Sequence, residues 1–112
     1  MITVNLRYTG KGNSALEFAK EMTESGTVAK IRAEKGNCRY EYFQPLFDGS
    51  PDKTVLLIDQ WENQSAIDAH HASPMMETIA ALREKYDLHM TVERYLSDED
   101  GVPESDKEFI RK

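Results

Sequence analysis

The sequence predicts an α+β domain of the ferredoxin-like kind: a four-stranded antiparallel sheet with helices on one face. Three observations carry that prediction. Residue alternation of period two opens and closes the first 96 residues, two more strand-like segments lie in the middle, and each half holds a stretch of helical spacing. The order strand, helices, strand, strand, helices, strand repeats one strand–helix–strand unit in a loose way.

In the first strand Ile2, Val4, Leu6 and Tyr8 alternate with Thr3, Asn5, Arg7 and Thr9, the pattern of a half-buried strand. The "GKGN" segment ends it. Ser14 and Glu17 then have the spacing of a capping box, in which each side chain satisfies a free backbone donor, so a helix is expected to begin there. Ala15, Phe18, Ala19 and Met22 form its apolar stripe, "SGT" interrupts it, and "VAKIRAEKG" reads as a second helical piece closing on Lys35 and Gly36.

In "NCRYEYFQPLF", Cys38, Tyr40 and Tyr42 alternate with Arg39, Glu41 and Phe43, and the aromatic content favours strand. After the turn "DGSPDK", the nearly continuous apolar run "TVLLIDQW" predicts a strand covered on both faces, central in its sheet. Ser65 with Asp68 suggests a cap for a short helix "AIDAHH". Ser73 and Pro74 are placed to start another, through "MMETIAALREKY", with Met75, Ile79, Leu82 and Tyr86 on one side. "LHMTVERYL" alternates again and supplies the fourth strand.

The chain has 112 residues, enough for one domain with a modest core, assigned to residues 1–96. The acidic segment 97–112 lacks periodicity and is expected to be a mobile tail, although Phe109 and Ile110 could dock on a partner subunit. With 14 Lys+Arg against 20 Asp+Glu, the net charge of −6 opposes binding to phosphate backbones, so no nucleic-acid partner is expected. The opening "MITVNLRYT" has no basic region followed by an apolar core, and no apolar run reaches membrane-spanning length; a cytoplasmic protein without a membrane partner is the expectation. The single cysteine, Cys38, permits no intrachain disulfide and is expected to be a small buried strand residue. Helices cover one sheet face only, yet the third strand is apolar on both. A second copy of the sheet, packed by two-fold symmetry into a dimeric α+β barrel, would cover the other, so a homodimer is predicted.

Several motifs in this order carry a resemblance: Asp59, Gln60, Trp61 and Glu62 at the end of the third strand, then Ala69-His70, then Ser73-Pro74, together with "KGNCRYEYF". The chain resembles the antibiotic biosynthesis monooxygenase (ABM) family over residues 1–96, and within it the quinol monooxygenase-like members. The resemblance implies a dimeric ferredoxin-like barrel with a pocket between helices and sheet in each subunit. It also implies oxidation of a quinol, phenol or anthrone by O2 without flavin, metal or haem, so no cofactor is expected. Many members have His after Ser/Thr-Pro; here that position is Met75, and no role of that histidine carries over. A haem-degrading branch of the fold uses an Asn on strand one, a Trp on the helix and a His on the last helix. Asn5 matches the first, but His70 and Ile79 stand where the other two would fall.

His70 shares a helix face with Ala66 and Ile67 and should point inward, where an imidazole titrating near neutrality could take a phenolic proton. The same ring could instead hold its helix to the sheet through a backbone carbonyl. Asn5 is the second candidate catalytic residue, to orient a substrate hydroxyl or stabilise an enolate oxygen; a hydrogen bond at a dimer seam is its alternative. Trp61, Tyr42, Phe43, Met75 and His71 are candidate walls for a flat aromatic ligand, with ordinary core packing, or a surface place for His71, as their alternative. Adjacent histidines project about 100° apart on a helix and are poorly placed to share a metal, so no metal site is predicted. Neither a phosphate-binding glycine loop nor a nucleophile elbow, CxxC or HExxH motif is present. The leading function is a cofactor-independent monooxygenase; the alternatives are a binding module without turnover, a haem-degrading member, and an isomerase or lyase on the same fold.

Overall fold

A computed structural model describes all 112 residues. The elements run β1 (Ile2–Thr9), α1 (Ser14–Glu24), α2 (Thr27–Arg32), β2 (Asn37–Phe43), β3 (Thr54–Trp61), α3 (Gln64–His71), α4 (Met75–Lys85) and β4 (His89–Leu96), followed by a 3₁₀ helix at Glu104–Phe109. The four strands form one sheet in the order β2-β3-β1-β4, and every neighbouring pair is antiparallel. This is the ferredoxin-like arrangement.

Period-two alternation decides which side chains meet the helices. Ile2, Leu6 and Tyr8 from β1, Val55, Leu57 and Trp61 from β3, and Tyr40 from β2 are buried against Ala15, Phe18, Met22, Val28, Ile31, Ile67, Ile79 and Leu82 of the helices. The opposite parity faces away: Thr3, Asn5 and Arg7 lie beside Gln60, Ile58 and Leu56, and beside Tyr95, Glu93 and Thr91. β3 lies inside the sheet as expected, its outward residues half-buried and its inward residues buried. Along β4, an edge strand, every residue is exposed.

Four local expectations are corrected. Ser14 begins α1, but its hydroxyl donates to Lys11 O at 2.7 Å and no side chain caps the helix. α3 is capped by Asn63, whose Oδ1 accepts from Ala66 N at 2.9 Å, and not by Ser65; its extended backbone (φ −162°, ψ 174°) suits that role. Ser73 donates its hydroxyl to His70 O and leaves Pro74 at the N-cap of α4. Cys38 is exposed, because the register between β2 and β3 shifts between Asn37 and Arg39 and the extra residue is turned out of the inward row.

Gly36 joins α2 to β2 at φ +85°, a left-handed conformation that glycine adopts freely. A Cβ built there would lie 2.6 Å from the Cβ of Ala66, so α3 can sit close only because that side chain is missing. The consequence is felt one turn later, at His70.

Candidate active site

A cavity of about 320 Å³ opens between the sheet and the α3–α4 pair. Val4, Leu6, Leu57, Met90 and Val92 line its sheet side, and Ile67, Met76 and Ile79 line its helix side. Into these apolar walls project Asp59, Trp61, His70, His71, Arg83 and Arg94, with Gln64 at one side.

His70 is 4% exposed and stacks on Trp61, with ring centroids 4.8 Å apart and planes inclined by 31°. Its Nδ1 lies 2.7 Å from Glu34 Oε1, a contact reaching from α3 to the segment after α2. A carboxylate can only accept, so this bond places the proton on Nδ1 and leaves Nε2, which has no partner in the chain, as the basic nitrogen. The expected inward orientation of His70 is observed. Its partner, however, is a carboxylate and not a backbone carbonyl.

Asp59 sits beside this pair on the inward row of β3, 8% exposed, where its Oδ1 accepts from Trp61 Nε1–H at 2.7 Å. Burial pushes its carboxyl up to about 6; proximity to His70 and the Trp61 bond pull the other way, and Glu34 adds to the rise. The cavity therefore holds a carboxyl of raised pKa beside an imidazole nitrogen without a partner in the chain. Elsewhere in the lining Arg83 donates from Nη2 and Nε to the Tyr8 hydroxyl at 2.8 and 3.2 Å, and Arg94 donates to Gln64 Oε1. Burial raises Tyr8 above its ordinary value despite Arg83, so the phenol is neutral at physiological pH.

Of the residues singled out in the sequence, the structure gathers Trp61, His70 and His71 around this cavity, His71 at an exposed position. Asn5 does not join them. It lies opposite Ile58 and Glu93 on the face turned away from the helices, with its Oδ1 buried and unpaired. Tyr42 turns toward the helices but packs edge-on against Phe18 and Tyr40, outside the cavity. Phe43 is 40% exposed on the outward face beneath Arg39, and Met75 packs against the core while its neighbour Met76 lines the cavity. Glu34, Arg83 and Arg94 were missed, because their contacts to His70, Tyr8 and Gln64 span 36, 75 and 30 residues. Asp59 carried a readable signal: a carboxylate on the same parity as Val55, Leu57 and Trp61. Ile79, expected from the resemblance to stand where the haem-degrading branch has its histidine, lines the cavity with a side chain that cannot bind iron.

Comparison with known proteins agrees with this architecture. A solved antibiotic biosynthesis monooxygenase superposes with a TM-score of 0.69 at 22% identity, over 92% of this chain and all of that one (100%). SnoaB, a cofactor-independent oxygenase from Streptomyces nogalater, gives 0.69 at 15% identity over 88% of this chain and 93% of its own. Rv0793 from Mycobacterium tuberculosis gives 0.64 at 17% identity, over 88% and 99%. No curated protein matches the sequence. At these identities the superpositions establish the fold. The sequence model named antibiotic biosynthesis monooxygenase matches residues 1–82, and on that match, over a chain folded as its relatives are, this protein belongs to the ABM family.

Proposed function

We propose that the protein is a cofactor-independent monooxygenase that admits a flat phenolic, quinol or anthrone-like molecule to the cavity and oxidises it with O2. The observation that carries this reading is the His70–Glu34 pair. It presents Nε2, the ring nitrogen without a partner in the chain, inside an apolar cavity, stacked on Trp61 and next to a carboxyl of raised pKa.

In this reading His70 Nε2 takes the proton of the substrate hydroxyl, and Glu34 steadies the imidazolium that results. Asp59 is the second acceptor. The substrate anion passes one electron to O2, and the resulting pair combines at a ring carbon. The peroxide anion takes back the proton held on His70 Nε2 to give a hydroperoxide that loses water. In an anthrone a CH2 group thereby becomes C=O; in a phenol or quinol a ring C–H carbon becomes C=O as the hydroxyl carbon becomes a second C=O. In each case one oxygen atom of O2 is inserted and the other leaves as water. The apolar walls keep bulk water from the anion. Family membership and the cofactor-independent oxygenase SnoaB among the neighbours support the reaction type. The outward sheet face, with Leu56, Ile58 and the unpaired Asn5 Oδ1, supports a homodimer joined through that face.

O2 uptake with a panel of hydroquinones and anthrones, corrected for autoxidation, tests the proposal. Uptake should fall about 100-fold or more in His70→Ala, the usual worth of a general base. Equal uptake in both proteins would remove His70 from the mechanism, and no uptake with any substrate would favour a binding module.

A further inference from the structure

The cavity lining combines two kinds of polar group: His70 and Asp59 offer proton acceptors, and Arg83 and Arg94 offer cations. In the sheet, Val4 pairs with Asp59 on one side and with Arg94 on the other, so the carboxyl and that guanidinium are rooted two strand spacings apart, about 10 Å. Arg83 reaches in from α4, its guanidinium 5.5 Å over the Tyr8 ring.

Neither arginine pairs with a carboxylate, although the chain carries a surplus of them and its five ion pairs engage Lys20, Arg39, His70, Lys85 and Lys107. The cavity's own Asp59 is bound to Trp61, and the nearby Glu34 to His70. Arg83 is half-buried and donates only to a neutral phenol; Arg94 donates only to a neutral amide. A half-buried guanidinium ordinarily finds an anion, because neutral acceptors compensate its lost hydration less well.

Resting on the cavity being the substrate site, we infer that the ligand carries an anionic substituent, a carboxylate on its aromatic ring, which Arg83 and Arg94 hold. That anchor directs the hydroxyl-bearing end of the ring toward His70 and Asp59. The arginines thus select for acidic aromatic molecules and fix their orientation.

Two probes differing only in the charged group test this under anaerobic conditions: 6-hydroxy-2-naphthoate, whose carboxylate and hydroxyl stand at opposite ends of the ring system, and 2-naphthol. Calorimetry gives their affinities, and quenching of Trp61, the only tryptophan, reports that they enter the cavity. Wild type should bind the carboxylate about tenfold more tightly or better, the worth of a charge-assisted hydrogen bond. That preference should shrink several-fold in Arg94→Gln and in Arg83→Gln, while naphthol binding changes by less than about twofold. Arg94 projects from an exposed strand position, so its variant keeps the fold even if the Arg83 variant does not. Equal affinities in wild type, or a preference unchanged in Arg94→Gln and in any folded Arg83→Gln, would overturn the inference and leave the cavity reading in place. Absence of binding by both probes would overturn both.

Discussion

Asp59 is held in a protonation state it would not choose in water. Its carboxyl moves from 3.8 to about 6 in the folded protein, so between those values the native state keeps a proton that the unfolded chain has released. Stability therefore falls as pH rises from about 4 to about 6 and then levels, with a cost of about 3 kcal/mol at neutral pH from a shift of about two units. Asp59→Asn keeps an oxygen for Trp61 Nε1 and removes the charge. It should be more stable than wild type at pH 7 and nearly equal to it at pH 3.5, by denaturant unfolding at both values; a variant less stable at pH 7 would contradict the raised pKa. In the proposed reaction Glu34, bonded to His70 Nδ1, is a positioning residue that acts through that ring. Glu34→Gln should lower kcat about tenfold with KM nearly unchanged. Imidazole ¹⁵N NMR should show the single Nδ1–H tautomer giving way to a mixture, a change that loss of packing alone would not cause. At this scale the sequence was half legible. His70 could be read from its helix face, because position on a helix is a local property. Asn5 lies on the face opposite Val4 and Leu6, both cavity residues, where its alternation puts it, and of its two readings that position favours the dimer seam.

Elements were easier to read than their ends. Strands and helices follow from spacing, which each segment carries within itself, whereas caps depend on where the chain arrives from. α3 starts at Gln64 because Asn63 comes out of β3 already extended and caps the helix, and Ser65, two residues later, already lies inside its first turn. Asn63→Ala should cost about 1 kcal/mol, measured by chemical unfolding. Gly36→Ala should cost more, about 1 to 3 kcal/mol, since it adds contact with Ala66 to a left-handed backbone. Gly12 is the control: at φ +58° with open space around it, its alanine variant should bear the backbone cost alone. The Gly36 variant should also weaken oxidation, because α3 carries His70; a Gly36→Ala protein no less stable than Gly12→Ala would refute the close approach.

The whole molecule has a radius of gyration of 15.9 Å, against about 13 Å for a compact chain of this size. Two protrusions account for the excess. The β2–β3 loop exposes Leu46 and Phe47 (87% and 96%), and the segment after Leu96 exposes Val102, Phe109 and Ile110. Removing residues 99–112 should shift the melting temperature of an isolated subunit by less than about 3 °C, as nothing in that segment is buried. A larger drop that depends on protein concentration would place Phe109 and Ile110 against a second copy. The four-stranded topology was legible in the sequence, because each strand announces its own buried face. The cavity was not, since its walls come from six elements whose meeting is a property of the finished fold.

That meeting has an order in time. β1 leaves the ribosome first, yet it ends between β3 and β4, and the last strand brings Met90, Val92 and Arg94 to the cavity wall. A nascent chain can pair β1 with β3 and pack its helices while the β4 edge of β1 is still bare. Until residue 96 has emerged, His70 and Asp59 stand in an open trough that water reaches freely. The cavity thus gains its shelter from solvent only when the last strand docks, and chains that stop short of it have the polar groups without the enclosure.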